Sequence, residues 1–388
     1  MDGIKIPVGR SGFADIRRNG YYFIDKSGLI RELVRTDGTQ VTLITRPRRF
    51  GKTLAMSMMA EFFDIRKNSA DLFSGLLVSE DKELCGKWMN QYPTLFLSLR
   101  RVDGLDFAGA YAQLVTVIAE LYKEHLYLIE EEKINAYDRV IFDKLASGDA
   151  PLEAVKNSLL KLTRMMQAVY GRPVLLFIDE YDVPLAKASE KGYGLQMLDM
   201  MKGLLQVIKD NDSLKFAVVT GCLKIAKESV FTGTNNFVSD TVSATRLDGY
   251  FGFTQQEVER LLADAGLAEQ SGVMKEWYDG YHFGDSDVYC PWDVMNYVND
   301  LLLNPGAKPS GYWKNSSDNA VIRSFIDYTS ETITKKFEIL LSGGYILQKI
   351  QEDLTYDSLF SSEENLWSVL YLTGYLTRFR GREPEREN

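Results

Sequence analysis

At 388 residues, with 45% hydrophobic and 26% charged side chains, the chain has the composition of a soluble globular protein large enough for two or three domains. Its 45 Lys and Arg against 54 Asp and Glu give a formal charge of −9, which argues against a broad nucleic-acid surface while leaving room for a local basic patch. No apolar run reaches the ~18 residues of a membrane span, and the start MDGIKIPVGRSGF lacks the apolar core of a signal peptide, so a cytoplasmic protein without membrane association is expected. The three cysteines, Cys85, Cys222 and Cys290, are widely spaced and read as reduced thiols, and with only His125 and His282 present a histidine triad or histidine metal site is not expected.

Taken in chain order, residues 20–35 read as a short aromatic strand and a helix, with Ser27 as N-cap and Ile30, Leu33 and Val34 on one face. QVTLIT (40–45) is apolar and β-branched enough for a buried strand. In the run that follows, Leu54, Met58 and Phe62 recur at helical spacing and form one buried stripe. TLFLSL (94–99) is a second buried strand, and 106–170 is mostly helical with breaks near Gly148 and Pro151. RPVLLFIDEYDVP (172–184) supplies a third strand with an acidic end. A helix over 194–211 precedes a fourth strand, LKFAVVTG (214–221). Continuous apolar strands alternating with helices indicate an α/β domain with a mainly parallel sheet. Beyond about 245, FTQQEVERLLADAG is an amphipathic helix opened by a capping box of Thr254 and Glu257. Next come a hairpin and a helix with Pro291 in its first turn. LYLTGYLTRFRG (370–381) suggests a helix, a turn at Gly374 and a strand, the ending of a winged-helix module.

The chemistry concentrates after the first strand, in TRPRRFGKTL. A phosphate-cradling loop needs backbone N–H groups at a helix amino end, a lysine for the β- and γ-phosphates and a hydroxyl for magnesium. Gly51, Lys52 and Thr53 supply the last three letters of that motif, while Arg46 stands where its first glycine belongs. Pro47 stiffens the start of the loop, Arg48 and Arg49 add positive potential at the rim, and Phe50 and Leu54 complete the segment. A basic turn capping a helix is the plainer alternative. Asp179, directly after VLLFI, fits the carboxylate that holds the magnesium shell, and Glu180 the base that orients an attacking water. Ligands of open α/β sheets bind at that strand edge. Thr220, at the end of the fourth strand, either senses the γ-phosphate or water, or satisfies a backbone group in its own turn. Arg246 is a weaker candidate for an arginine finger. Lys224, Lys227, Asn235 and Asn236 lie in a polar loop within reach of a ligand or partner.

The segments YFIDKSGLI, RPRRFGKTL, FIDEYDVPL, TGCLKIAKESVFTGTNNF, FGFTQQEVERLL, YDGYHF…VYCPWDVMNYV and YWKNSS follow one another as in the predicted bacterial AAA-ATPase-like family, which the chain resembles over nearly its whole length. In that family arginine at the first-glycine place is the usual form. The resemblance implies nucleotide binding by Arg48, Gly51, Lys52 and Thr53, with Asp179 and Glu180 as the acidic pair. Two departures stand out. FTGTNNF replaces an expected serine and leucine around its second glycine. Residues 315–388 also contain no D-x(n)-[DE]-x-K strand pair of the nuclease-like domain that often follows the ATPase domain, so nuclease activity is not expected.

Elsewhere the plainer readings prevail. Asp285 and Asp287 read as an exposed hairpin tip rather than a calcium site. Trp277, Tyr278, Tyr281, Phe283, Tyr289 and Trp292 read as packing between hairpin and helix rather than a sugar platform. Residues 315–388 carry 8 Lys and Arg against 12 Asp and Glu, which argues against DNA binding by the tail. The expected whole is a P-loop NTPase over 1–245, followed over 246–388 by a helix-rich lid and winged-helix-like module. It would bind and hydrolyse ATP with Mg2+ as a switch coupled to an unidentified protein partner or a downstream nuclease-like domain, and a homo-oligomer is compatible with this. The alternatives are a non-hydrolysing nucleotide-dependent scaffold and a nucleic-acid-handling module.

Overall fold

The computed structural model describes residues 3–35, 40–224, 237–313, 331–354 and 362–379. Five parallel strands form the central sheet: β1 (Val41–Thr45), β2 (Thr94–Ser98), β3 (Val174–Asp179), β4 (Leu214–Gly221) and β5 (Phe237–Asp240), in the spatial order β2-β3-β4-β1-β5. The first four are the apolar runs anticipated from sequence. β5 was not anticipated, because it is only four residues long and half-exposed at the sheet edge. Lys227, Asn235 and Asn236 lie outside the described residues.

Side chains alternate across the sheet with the period of two that a pleated strand imposes. Val41 and Leu43 of β1, with Leu176 and Ile178 of β3, enter one core together with the helices Phe107–Lys123, Ser158–Tyr170 and Gly194–Leu204. Ile44, Leu175 and Phe177 enter the opposite core, which is closed by the helix Lys52–Phe63. That helix is covered nearly all round, with Met56, Met59, Phe62 and Phe63 at 0% exposure. A single stripe was too narrow an expectation for it. Each such side chain is worth roughly 1.5–3 kcal/mol on burial, so this helix is fixed by packing rather than by propensity.

Register carries the strand ends to one edge. Ile44 lies opposite Thr220, Thr45 opposite Gly221, and Ser98 opposite Asp179. The ends of β1, β3 and β4 therefore open side by side.

Beyond the sheet, the capping box of Thr254 and Glu257 opens the helix Gln255–Asp264, and the hairpin β6 (Tyr281–Phe283) and β7 (Ser286–Val288) leads into the helix Pro291–Leu303. These elements bury Val258, Leu262, Tyr297 and Val298 around a third core, which Ile6 from the chain start also joins. Ser27 precedes the helix Gly28–Arg35, but its hydroxyl accepts from the Val78 amide instead of capping that helix, and residues 21–26 form no strand. The ending expected of a winged helix is seen only in part, and residues 380–381 lie outside the described residues. The helix Glu363–Leu372 and the turn at Gly374 are present, but residues 375–379 form no strand. Trp367 and Leu370 of that helix share the core of β1 and β3, so residues from both sides of position 245 are packed into one interior.

Candidate nucleotide site

Gly51, at φ +82°, turns the chain from the loop into the helix Lys52–Phe63, a left-handed conformation that costs glycine little. Arg49 takes a left-handed φ of +73° and Glu180 one of +55°, conformations uncommon without glycine. They sit on the two loops that face each other across the strand edge. The Lys52 ammonium donates to the carbonyls of Arg46 and Pro47, both at 2.8 Å, and lies 3.8 Å from the Cys222 sulfur. Its charge is thus held at the mouth of its own loop. The Thr53 hydroxyl donates to Asp179 Oδ2 at 2.7 Å, and the Thr220 hydroxyl to Asp179 Oδ1 at 2.6 Å. The helix beginning at Lys52 and the acidic tip of β3 are therefore in direct contact.

Thr220 is fully buried and, like Asp179, does not line the cleft; its hydroxyl is engaged by Asp179 Oδ1. Arg46 is fully buried as well. Its Nη1 donates to the carbonyls of Thr45, Asp240 and Thr241, and its guanidinium lies between the rings of Phe251 and Phe283, 5.4 Å from each centroid. Burial lowers its pKa to about 10, which leaves it charged at neutral pH. Arg46 and Pro47 thus present backbone carbonyls to the site, not side chains. Phe50 packs its ring on Tyr281 and Phe283. Arg246 is bound to Asp240 beside β5 and is absent from the cleft wall.

The second half of DEYD has a separate task. Asp182 Oδ2 accepts from the amides of Cys222 (2.8 Å) and Leu223 (3.1 Å), and the Tyr181 hydroxyl donates to the Leu223 carbonyl at 2.9 Å. These bonds tie the chain leaving β4 to the turn after β3. A Cβ on Gly221 would come within 2.7 Å of Asp182 Oδ1 and of the Tyr181 ring, so that approach requires glycine.

Around these loops lies a cleft of about 380 Å³. Its lining carries Arg48, Arg49, Lys52, Arg100 and Lys187, and Arg10 and Lys26 add two more cations, against the single carboxylate of Glu180. In a chain of charge −9 this is a local reversal of sign, suited to a polyanion. Burial, and then the neighbouring Arg100, lower the pKa of Arg49, whose guanidinium lies 4.1 Å from the centre of the Trp292 ring. Glu180 is shifted upward by burial and then by repulsion from Asp179. The lining is also apolar and aromatic, with Tyr22, Phe23 and Ile24 from the chain start and Phe253, Trp292 and Met295 from the late region. The described residues contain no group of three or more His, Cys, Asp and Glu able to hold a metal. Thr53 and Asp179 do fit a magnesium ion, which prefers a few hard oxygen donors completed by phosphate and water.

A profile of predicted AAA-ATPases matches residues 7–231, more than half of the chain. The chain belongs to the predicted AAA-ATPase family. That membership implies nucleotide binding, and the parallel sheet with its loop between β1 and the following helix is the corresponding P-loop architecture. The matched region includes the loop, DEYD and the end of β4. The chain is also 27% identical, over 411 residues covering all of it and 69% of the relative, to a protein of Azotobacter chroococcum mcd 1 described as uncharacterized and lying in the vnfD 5' region. No helix among the described residues is long and apolar enough to cross a membrane.

Sequence reasoning did not anticipate the chain-start residues of the cleft, nor Arg100, Lys187, Phe253 or Met295. A signal existed only for Arg100, a cation just past a buried strand on the ligand-binding edge of the sheet.

Proposed function

We propose that this chain binds ATP with Mg2+ and hydrolyses it, and that the region beyond 245 closes on the nucleotide and relays its state to a protein partner. The observation that carries this reading is the Thr53–Asp179 contact beneath a cation-lined cleft. A P-loop metal site uses this pair of oxygen donors, next to a lysine already directed to the loop mouth.

In the bound state the loop amides and the amino end of the helix Lys52–Phe63 would receive the phosphates. Lys52 would exchange the Arg46 and Pro47 carbonyls for phosphate oxygens. Thr53 and Asp179 would hold magnesium, which supplies charge neutralisation on the phosphates. Thr220, by occupying Asp179 Oδ1, keeps that carboxylate oriented. Glu180, ionised, would orient the attacking water. The aromatic residues of the lining would offer the apolar contact a base requires, and Arg48 and Arg49 would add positive charge for the phosphates.

Calorimetric titration with Mg–ATP tests the binding step. Lys52→Ala is expected to abolish binding, and unchanged affinity would end the assignment. Glu180→Gln is expected to retain ATP while phosphate release falls on the order of 10²-fold or more, as for loss of a positioned base. If that variant turned over at the wild-type rate, another group would be orienting the water. If the wild type bound ATP without releasing phosphate, the chain would be a nucleotide-dependent scaffold instead.

A further inference from the structure

We propose that Arg100 meets the terminal phosphate and supplies, from within the same chain, the positive charge that phosphoryl transfer needs. This rests on the ATPase reading above and names a residue which that reading leaves out.

Three observations carry it. The first is position. β2 pairs with β3 so that Ser98 lies opposite Asp179, and the Leu99 amide donates to the Asp179 carbonyl at 3.0 Å. The next residue, Arg100, therefore leaves the sheet beside Glu180 and lines the same cleft. The second is availability. Arg100 is exposed and makes no hydrogen bond or ion pair with any described residue. Other cations of the cleft are already engaged: Lys52 with carbonyls of its loop, Lys26 with Glu257, Arg10 with Asp15, and Arg49 with the face of Trp292. The third is the placement of Arg246, the candidate finger suggested by sequence, whose guanidinium is bound to Asp240 beside β5.

The chemistry follows from this geometry. Water oxygen bonds to the γ-phosphorus as the bond from that phosphorus to the β–γ bridging oxygen breaks. One water proton passes to Glu180, and the products are ADP and inorganic phosphate. Negative charge spreads over the γ-phosphoryl oxygens in the transition state. A guanidinium offers them a fixed fork of donors that stays charged at all working pH values.

The test uses the full chain with Arg100→Ala and Arg100→Lys, because an exposed side chain can be replaced without emptying a core. ADP and ATP affinities are measured by calorimetry, and single-turnover phosphate release is followed across a range of protein concentrations. Arg100→Ala is expected to keep ADP affinity within about threefold of wild type while phosphate release falls by ~10³-fold, the low end for loss of an arginine finger. Arg100→Lys is expected to recover part of the rate, and the wild-type rate should not change with protein concentration. Wild-type turnover in Arg100→Ala would overturn the proposal. So would an equal loss of ADP and ATP affinity, which marks a general charge effect, or a wild-type rate that climbs with concentration, which marks a finger from a second copy. A wild type that binds no ATP would overturn the ATPase reading itself, and Arg100's role with it.

Discussion

Arg46 stands where a phosphate loop ordinarily has glycine, and its side chain shows what the larger residue does there. Glycine would leave the end of β1 tied to β5 by the strand ladder alone. Arg46 adds three donated hydrogen bonds to the carbonyls of Thr45, Asp240 and Thr241, and two aromatic faces. Its Nε and Nη2 find no partner among the described residues, which is the desolvation cost of holding a guanidinium in an interior. Glu180, partly buried, is the carboxylate that lines the cleft, and its environment has a measurable consequence. A carboxylate orients water only when ionised, and burial and then Asp179 hold this carboxyl above the ordinary range. Activity that depends on it is present above the raised value and lost as pH falls through it. Turnover at saturating ATP should therefore drop at a pH where an ordinary carboxylate is still ionised, while calorimetric ATP binding persists. A pH–rate profile whose acidic limb lies at the ordinary carboxylate value would remove Glu180 from the role of base.

At the scale of elements, the loop between β1 and its helix is held from outside as well as from within. The Trp313 indole donates to the Arg48 carbonyl at 3.2 Å, and the Trp313 ring lies edge-on to Tyr375 with centroids 4.8 Å apart. The turn after the helix Glu363–Leu372 is closer still. Gly374 has φ +89°, and a Cβ there would stand 2.8 Å from Pro47 Cβ. Gly374→Ala should therefore destabilise the fold by roughly 1–3 kcal/mol through overpacking and left-handed strain. It should also weaken ATP binding, because the displaced neighbour is the start of the phosphate loop. Urea unfolding and calorimetry on the same variant check both parts. A stable variant with wild-type affinity would mean that this turn yields freely and does not support the loop.

Across the whole molecule, the cleft is assembled from segments distant in sequence. Its lining comes from the chain start (residues 7–11 and 22–24), from the loop with Arg100, and from the late region (Phe253, Trp292 and Met295). The Lys26 ammonium joins the chain start to the late region, donating to the Gly249 carbonyl and to Glu257 of the capping box. A ligand filling the cleft touches both regions at once. ATP is accordingly expected to slow amide hydrogen exchange over 7–11 and 291–295 together, with little change in β1 and β3, whose amides are already protected in the sheet. Protection confined to the loop and its helix would show that the two regions do not close on nucleotide.

The central strands, the loop motif, the acidic pair, the capping box and the hairpin were legible in the sequence because each is written in a few adjacent residues. An apolar run bounded by turns suffices for a buried parallel strand. Gly51, Lys52 and Thr53 must be neighbours to turn a chain into a helix, and Thr254 and Glu257 need only two residues between them to exchange bonds. Even the opposition of Lys52 and Asp179 followed from both lying at the carboxyl ends of strands in one parallel sheet. What tertiary structure alone decided was where long side chains spend their charge and which remote segments meet. Nothing local directs Arg46 inward to the carbonyls beside β5, binds Arg246 to Asp240 or leaves Arg100 open to the cleft. Those outcomes depend on register between strands dozens to hundreds of residues apart, and on a chain start and a late helical region that come together only when they bury a shared core.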